Sequence, residues 1–176
     1  LAVLGFVVAP DSGLQPSISD YYSLRTRDVF VGILFTVAWF LFTYRGYERK
    51  DNVAGDLACV FALGVALSPN SGSRLEAVVH YACAALLFLV LAYFSLFLFT
   101  KSSSNPTPQK LLRNRVYRAC GVAMLGCVAL IPAYQLLLAD TAIADLKPVF
   151  WLESLALWAF GVSWFVKGET LLKDKA

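Results

Sequence analysis

The sequence predicts an all-α fold, a polytopic transmembrane bundle of six spans running up and down, with the first span truncated. Three observations lead there. Hydrophobic residues make up 59% of the 176-residue chain and charged residues 15%, against roughly 45–50% and about 25% in an ordinary soluble domain. A soluble fold of this size cannot bury so much apolar surface. The apolar residues also fall in continuous runs, "VFVGILFTVAWFLFTY", "AVVHYACAALLFLVLAYFSLFLFT" and "ACGVAMLGCVALIPAYQLLLA", each close to the ~20 residues that cross a hydrocarbon layer of about 30 Å. Finally, these runs do not alternate polar and apolar residues. Of the two structures that satisfy their own backbone in lipid, helices are therefore expected and a barrel is not.

The first stretch, "LAVLGFVVA", is closed by Pro10 and is too short to cross. Because the chain starts with Leu, part of this helix is expected to be missing; a cleaved signal peptide is the alternative, but no small-residue cleavage site follows. The next spans are placed at about 28–44, 53–67, 77–100, 119–139 and 149–166. Between them lie turn-forming stretches, "APDSGLQPS", "SPNSGS" and "KSSSNPTPQK", and Pro148 stands just before the last span. No internal repeat and no separate soluble domain is visible, so residues 1–176 form one domain.

Charge sets the expected orientation. Arg45, Arg49, Lys50, Lys101, Lys110, Arg113, Arg115, Arg118, Lys167, Lys173 and Lys175 fall on one side of this arrangement; Arg25, Arg27, Arg74 and Lys147 fall on the other. By the positive-inside rule, the protein is a multi-pass cell-membrane protein with both termini in the cytoplasm. The basic loops set topology, and binding of anionic lipid headgroups is their functional alternative. Ala54, Ala58, Ala62 and Ala66 recur every four residues. Such small residues let helix backbones approach closely, either within the bundle or against a membrane partner or second copy. Trp39, Trp151, Trp158 and Trp164, with Tyr21, Tyr22, Tyr44 and Tyr47, fall near span ends as an interfacial belt. The four cysteines, Cys59, Cys83, Cys120 and Cys127, all lie inside spans and read as packing residues.

The middles of the spans carry no ionisable group, which argues against an ion-coupled transporter or pump. Gln135, Tyr93 and Tyr134 are the polar side chains well inside, with Pro132 expected to kink its helix beside them. Ionisable residues gather instead at the two rims. On the outer rim, topology brings together Asp20, Asp28, Glu76, His80 and Glu153, with Ser19 and Ser68 at similar depth. His80 is the only histidine. It follows Glu76 by one i,i+4 step, so the two project from one helix face. The functional reading is an outward polar pocket for a lipid headgroup or small polar ligand; the alternative is that Glu76 favours its helix start and His80 simply bonds a neighbour. On the inner rim, Asp56 lies level with Arg45, Arg113, Arg115, Arg118 and Lys167, and a charge pair or network tying the helices together is expected there. No metal, cofactor or nucleic-acid partner is expected.

Ile18-Ser19-Asp20 after the first span, with a histidine opening the fourth, resembles an uncharacterised family of bacterial six-helix membrane proteins. That family carries an Ile-Ser-Asp motif after helix one and a histidine at the start of helix four. More distantly, the chain is similar to damage-regulated autophagy modulator-type proteins. Tyr21-Tyr22 stand where Leu-Gly usually follows the motif. The chain also looks like the alkaline ceramidases, which implies a metal-dependent intramembrane lipid hydrolase using Ser68, Asp28 and His80; the further histidines and seventh span of that family are absent. An accessory subunit of a larger membrane complex is the third reading.

Overall fold

A computed structural model describes residues 13–46 and 48–173. Among these residues there are five α-helices and no strand: α1 (Arg27–Thr43), α2 (Arg49–Leu67), α3 (Arg74–Tyr93), α4 (Pro108–Leu137) and α5 (Pro148–Lys167). Short 3-10 turns cover Ser19–Ser23 and Ala142–Leu146, and α3 runs on through a π-helical turn, Phe94–Leu98. Consecutive helices pack on one another. Contacts between Phe40 and Trp164 and between Tyr44 and Trp164 bring α5 back to α1 and the segment following it.

The expectation of six membrane spans is not met. Among the described residues, three helices are long and apolar enough to cross a membrane: α3 with its π turn (Arg74–Leu98), α4 and α5. Helix α1 is apolar but has 17 residues, about 26 Å at 1.5 Å per residue, short of a hydrocarbon layer of about 30 Å. Helix α2 is long enough, yet its first half carries Arg49, Lys50, Asp51 and Asp56, which the apolar interior penalises. The stub at residues 1–9 lies outside the described residues.

Helix starts explain most of the boundaries. Ser73 and Glu76 form a capping box, with the Ser73 N–H donating to Glu76 Oε2 at 2.7 Å and the Glu76 N–H donating to Ser73 Oγ at 3.3 Å. Thr107 accepts from the Lys110 N–H at 3.1 Å, and Pro108 opens α4 with φ already suited to a helix. As a result α4 begins well before Ala119, where the apolar run suggested, and its first three turns carry Lys110, Arg113, Arg115 and Arg118. Helix α5 also opens on a proline, after Lys147 at φ 53°.

The small-residue stripe is used inside the chain. Ala54, Ala58, Ala62 and Ala66 are all buried, at 5% exposure or less. They lie on α2, which packs against both α1 and α3. A Cβ on Gly55 would sit 2.7 Å from the Leu41 carbonyl oxygen, so glycine permits the close approach of α1 to α2. Trp39, Trp151 and Trp158 are exposed, Trp158 at the middle of α5 rather than near its end, and Trp164 packs in an aromatic cluster with Tyr44, Phe94, Phe99 and Phe160. Tyr21 and Tyr22 are core residues rather than anchors; Tyr47 lies outside the described residues. All four cysteines are free thiols.

The alternating helices leave two polar ends. One holds the Ser17–Ser23 segment, Ser68, Asn70, His80 and Glu153. The other holds Glu48, Asp51, Lys101, Lys110, Arg113, Asn114 and Glu169. Between them, a buried hydrogen bond from Ser95 Oγ to Ser163 Oγ at 3.0 Å joins the π turn to α5.

Candidate functional site

At the first end, the 3-10 turn Ser19–Ser23 is held down by α3, α5 and the loop between α2 and α3. Its anchor is His80, fully buried on the second turn of α3. His80 Nδ1 lies 2.6 Å from the Ser68 carbonyl oxygen, and Nε2 lies 2.8 Å from Ser19 Oγ. A carbonyl can only accept, so Nδ1 carries the proton and, in the neutral ring, Nε2 accepts from the Ser19 hydroxyl. Asp20 Oδ1 accepts from Asn70 Nδ2 at 2.6 Å, while its Oδ2 accepts from the Ser17 N–H at 2.9 Å. Glu153 Oε2 accepts from the Ile18 N–H at 2.7 Å, and the Phe150 N–H donates to the Pro16 carbonyl at 3.0 Å. This is a polar clasp that ties residues 16–20 to the α2–α3 loop, α3 and α5.

The clasp brings together Ser19, Asp20, His80 and Glu153, and it leaves out the other two candidates. Glu76 is exposed and bonded to Ser73 in the capping box, and Asp28 is exposed at the start of α1. The i,i+4 spacing of Glu76 and His80 therefore produces no shared pocket: one side chain turns back along its helix and the other turns inward. Ser68 meets His80 through its carbonyl and not its hydroxyl, so the trio Ser68, Asp28 and His80 is not assembled as a hydrolase would need. Among the described residues, no three His, Cys, Asp or Glu side chains converge as metal ligands. Each clasp member bonds another part of the chain, and the geometry is that of a structural tie.

The opposite end has an open cleft of about 530 Å³. Lys101, Lys110, Arg113 and Lys167 line it, together with Glu48 and Glu169, giving an excess of cationic side chains among the described lining residues. Its wall is built from buried charge. Asp51 is 1% exposed; its Oδ1 accepts from Lys101 Nζ at 2.6 Å, and its Oδ2 accepts from the Glu48 N–H at 3.3 Å. Lys101 Nζ is also 3.3 Å from Glu48. The Asp51 carboxylate holds the Lys101 ammonium above the usual lysine range, outweighing the opposing desolvation. Arg113, 6% exposed, lies 3.4 Å from Glu169 and donates to the Leu172 carbonyl at 3.2 Å. Lys110 donates to the Phe99 carbonyl at 2.8 Å and lies over the Tyr117 ring. Lys167 lies 5.9 Å from the centre of the Phe99 ring.

The charge network expected at this rim is only partly the one found. Asp56 is exposed and meets Arg45 at 3.7 Å, while Arg115 and Arg118 are exposed on the outer side of α4. Of the residues expected there, Arg113 and Lys167 line the cleft. Asp51, Lys101, Arg113, Glu48 and Glu169 form the ion pairs around it. A signal for Asp51 was present in the sequence: an acid three residues after Glu48, at the third position of a helix, reaches back to the preceding backbone.

Comparison with protein-family models, with curated proteins and with solved structures found no match. The resemblance to the six-helix Ile-Ser-Asp family therefore rests on residues 18–20 and His80.

Proposed function

We propose that this chain is a multi-pass integral membrane protein, crossing the bilayer with α3, α4 and α5, and that its basic cleft binds the anionic headgroup of a membrane lipid. The observation that carries this reading is the cleft itself, with Lys101, Lys110, Arg113 and Lys167 arranged around about 530 Å³. The volume falls within the range of ordinary ligand pockets. A phosphate offers the oxygen acceptors that ammonium and guanidinium donors bond most strongly. Lys101 follows the apolar run that ends in the π turn, and Lys110 and Arg113 precede the apolar run of α4, which supports a position at headgroup depth. Its cations belong to the set that the positive-inside rule assigns to the cytoplasm, so the lipid is drawn from the cytoplasmic leaflet.

The outward pocket expected from the sequence is the weaker alternative, because Ser19 and His80 already bond each other, Asp20 accepts from Asn70 and Ser17, and Glu153 accepts from the Ile18 N–H.

The test is lipid binding by purified protein in detergent, with phosphatidylglycerol and phosphatidylcholine in competition. Wild type should retain phosphatidylglycerol preferentially. Lys110→Gln with Lys167→Gln should lower that preference roughly tenfold or more, since each cation near an anionic surface contributes about 1 kcal/mol. Equal retention of both lipids by wild type would end the proposal.

A further inference from the structure

A second opening lies beside the basic cleft, on the outer surface between α2 and α3. It encloses about 590 Å³ and is lined by Val53, Ala54, Leu57, Val90 and Tyr93, with Arg49 and Lys50 at its mouth. The side chains have an order along the helix. Arg49 and Lys50 occupy the first turn of α2, Val53 and Ala54 the next, and Leu57 the one after. The groove thus runs about 12 Å from its cationic mouth, at 1.5 Å per residue. Ala54 is buried and forms a shallow floor, while Val53 and Leu57 stand up beside it at 47% and 44% exposure. Val90 and Tyr93, on α3, form the facing wall. Neither Arg49 nor Lys50 makes an ion pair among the described residues, whereas Lys101 and Arg113, which line the cleft, both do.

We infer that this groove holds one acyl chain of an anionic phospholipid, with the phosphate at Arg49 and Lys50. Both parts of that ligand are called for by the surface. An apolar channel flanked by two cations fits an amphiphile whose charged end is negative and whose tail is hydrocarbon. A zwitterionic lipid would bring a cation of its own beside the phosphate and offer Arg49 and Lys50 no net counter-charge, and a free phosphate would leave the channel unfilled. The inference shares with the proposed function only the placement of the chain in a membrane. It does not require the cleft to bind lipid.

The experiment counts lipids bound to purified protein by native mass spectrometry in an equal mixture of phosphatidylglycerol and phosphatidylcholine. Protein carrying Lys110→Gln and Lys167→Gln, which disables the cleft, should still retain one phosphatidylglycerol in roughly tenfold preference over phosphatidylcholine. Adding Arg49→Gln and Lys50→Gln should abolish that preference. Val53→Trp with Leu57→Trp should fill the channel and remove bound lipid of either type. All four residues are exposed, so helix content by circular dichroism should not change. Retention of the last phosphatidylglycerol after Arg49→Gln and Lys50→Gln would overturn the inference. So would indifference to lipid type, or a second copy of the chain bound at this face in place of lipid. If the Lys110 and Lys167 changes leave the count unaltered while the Arg49 and Lys50 changes lower it, the cleft reading fails and the groove stands.

Discussion

Replacing His80 with alanine should loosen the whole first end of the bundle, and the size of the effect follows from two hydrogen bonds and a void. The imidazole is fully buried, with Ser68 O at 2.6 Å and Ser19 Oγ at 2.8 Å. Removing it leaves a carbonyl and a hydroxyl, the latter on a residue only 8% exposed, without their partner. An unsatisfied buried polar group costs about 1–3 kcal/mol, and the void adds the packing cost of a large-to-small substitution. The sum is about 3–5 kcal/mol. Ser19→Ala removes a single contact and should cost about 1–2 kcal/mol. The double variant should fall short of the sum of the singles by about 1 kcal/mol, because the two residues share one bond. The assay is reversible unfolding in mixed micelles with increasing sodium dodecyl sulfate, read by circular dichroism, alongside protease cleavage in residues 13–23. Loss of less than about 0.5 kcal/mol in His80→Ala, or strict additivity with Ser19→Ala, would refute the clasp.

Gly55→Ala should destabilise by about 1–3 kcal/mol in the same assay, because the new methyl meets the Leu41 carbonyl and α1 and α2 must part. Ser73→Ala removes the cap at the start of α3 and should cost about 1 kcal/mol; Asp28→Asn, at an exposed position, should leave stability within 0.5 kcal/mol of wild type. The Lys101 contact makes a prediction about pH. Its folded pKa is raised above the ordinary 10.5, so its contribution is complete below that value and is lost as pH rises through the raised one. Wild type should therefore show an alkaline step in stability that Lys101→Met lacks; identical alkaline profiles would count against the Asp51 contact.

The apolar runs of the sequence located α3, α4 and α5, because a helix exposed to lipid must be apolar on every side and composition alone reveals it. The same logic overcounted spans. Residues 28–44 read as one more crossing, but helix α1 stops at Thr43 after 17 residues, and Arg49, Lys50, Asp51 and Asp56 interrupt α2. Depth is partly legible at the clasp: the outer-rim group of the sequence contains Ser19, Asp20, His80 and Glu153, but also Asp28 and Glu76, which the clasp leaves out. Direction is not. Whether Glu76 points at His80 or back to Ser73 depends on a capping box, and the box is written in the local sequence as Ser73 followed three residues later by Glu76. The cleft is not legible in the sequence, because Asp51 sits in an ordinary charged helix start and only packing against Lys101 shows it to be buried; Arg113 belongs to the rim by its depth, but its partner is Glu169 and not Asp56.

The most direct measurement of the central claim is an experimental density map of the protein in nanodiscs containing phosphatidylglycerol. The account predicts a headgroup phosphate in the cleft within hydrogen-bonding distance of Lys110 Nζ and the Arg113 guanidinium. A cleft holding only solvent, with ordered lipid headgroups elsewhere on the bundle, would contradict it.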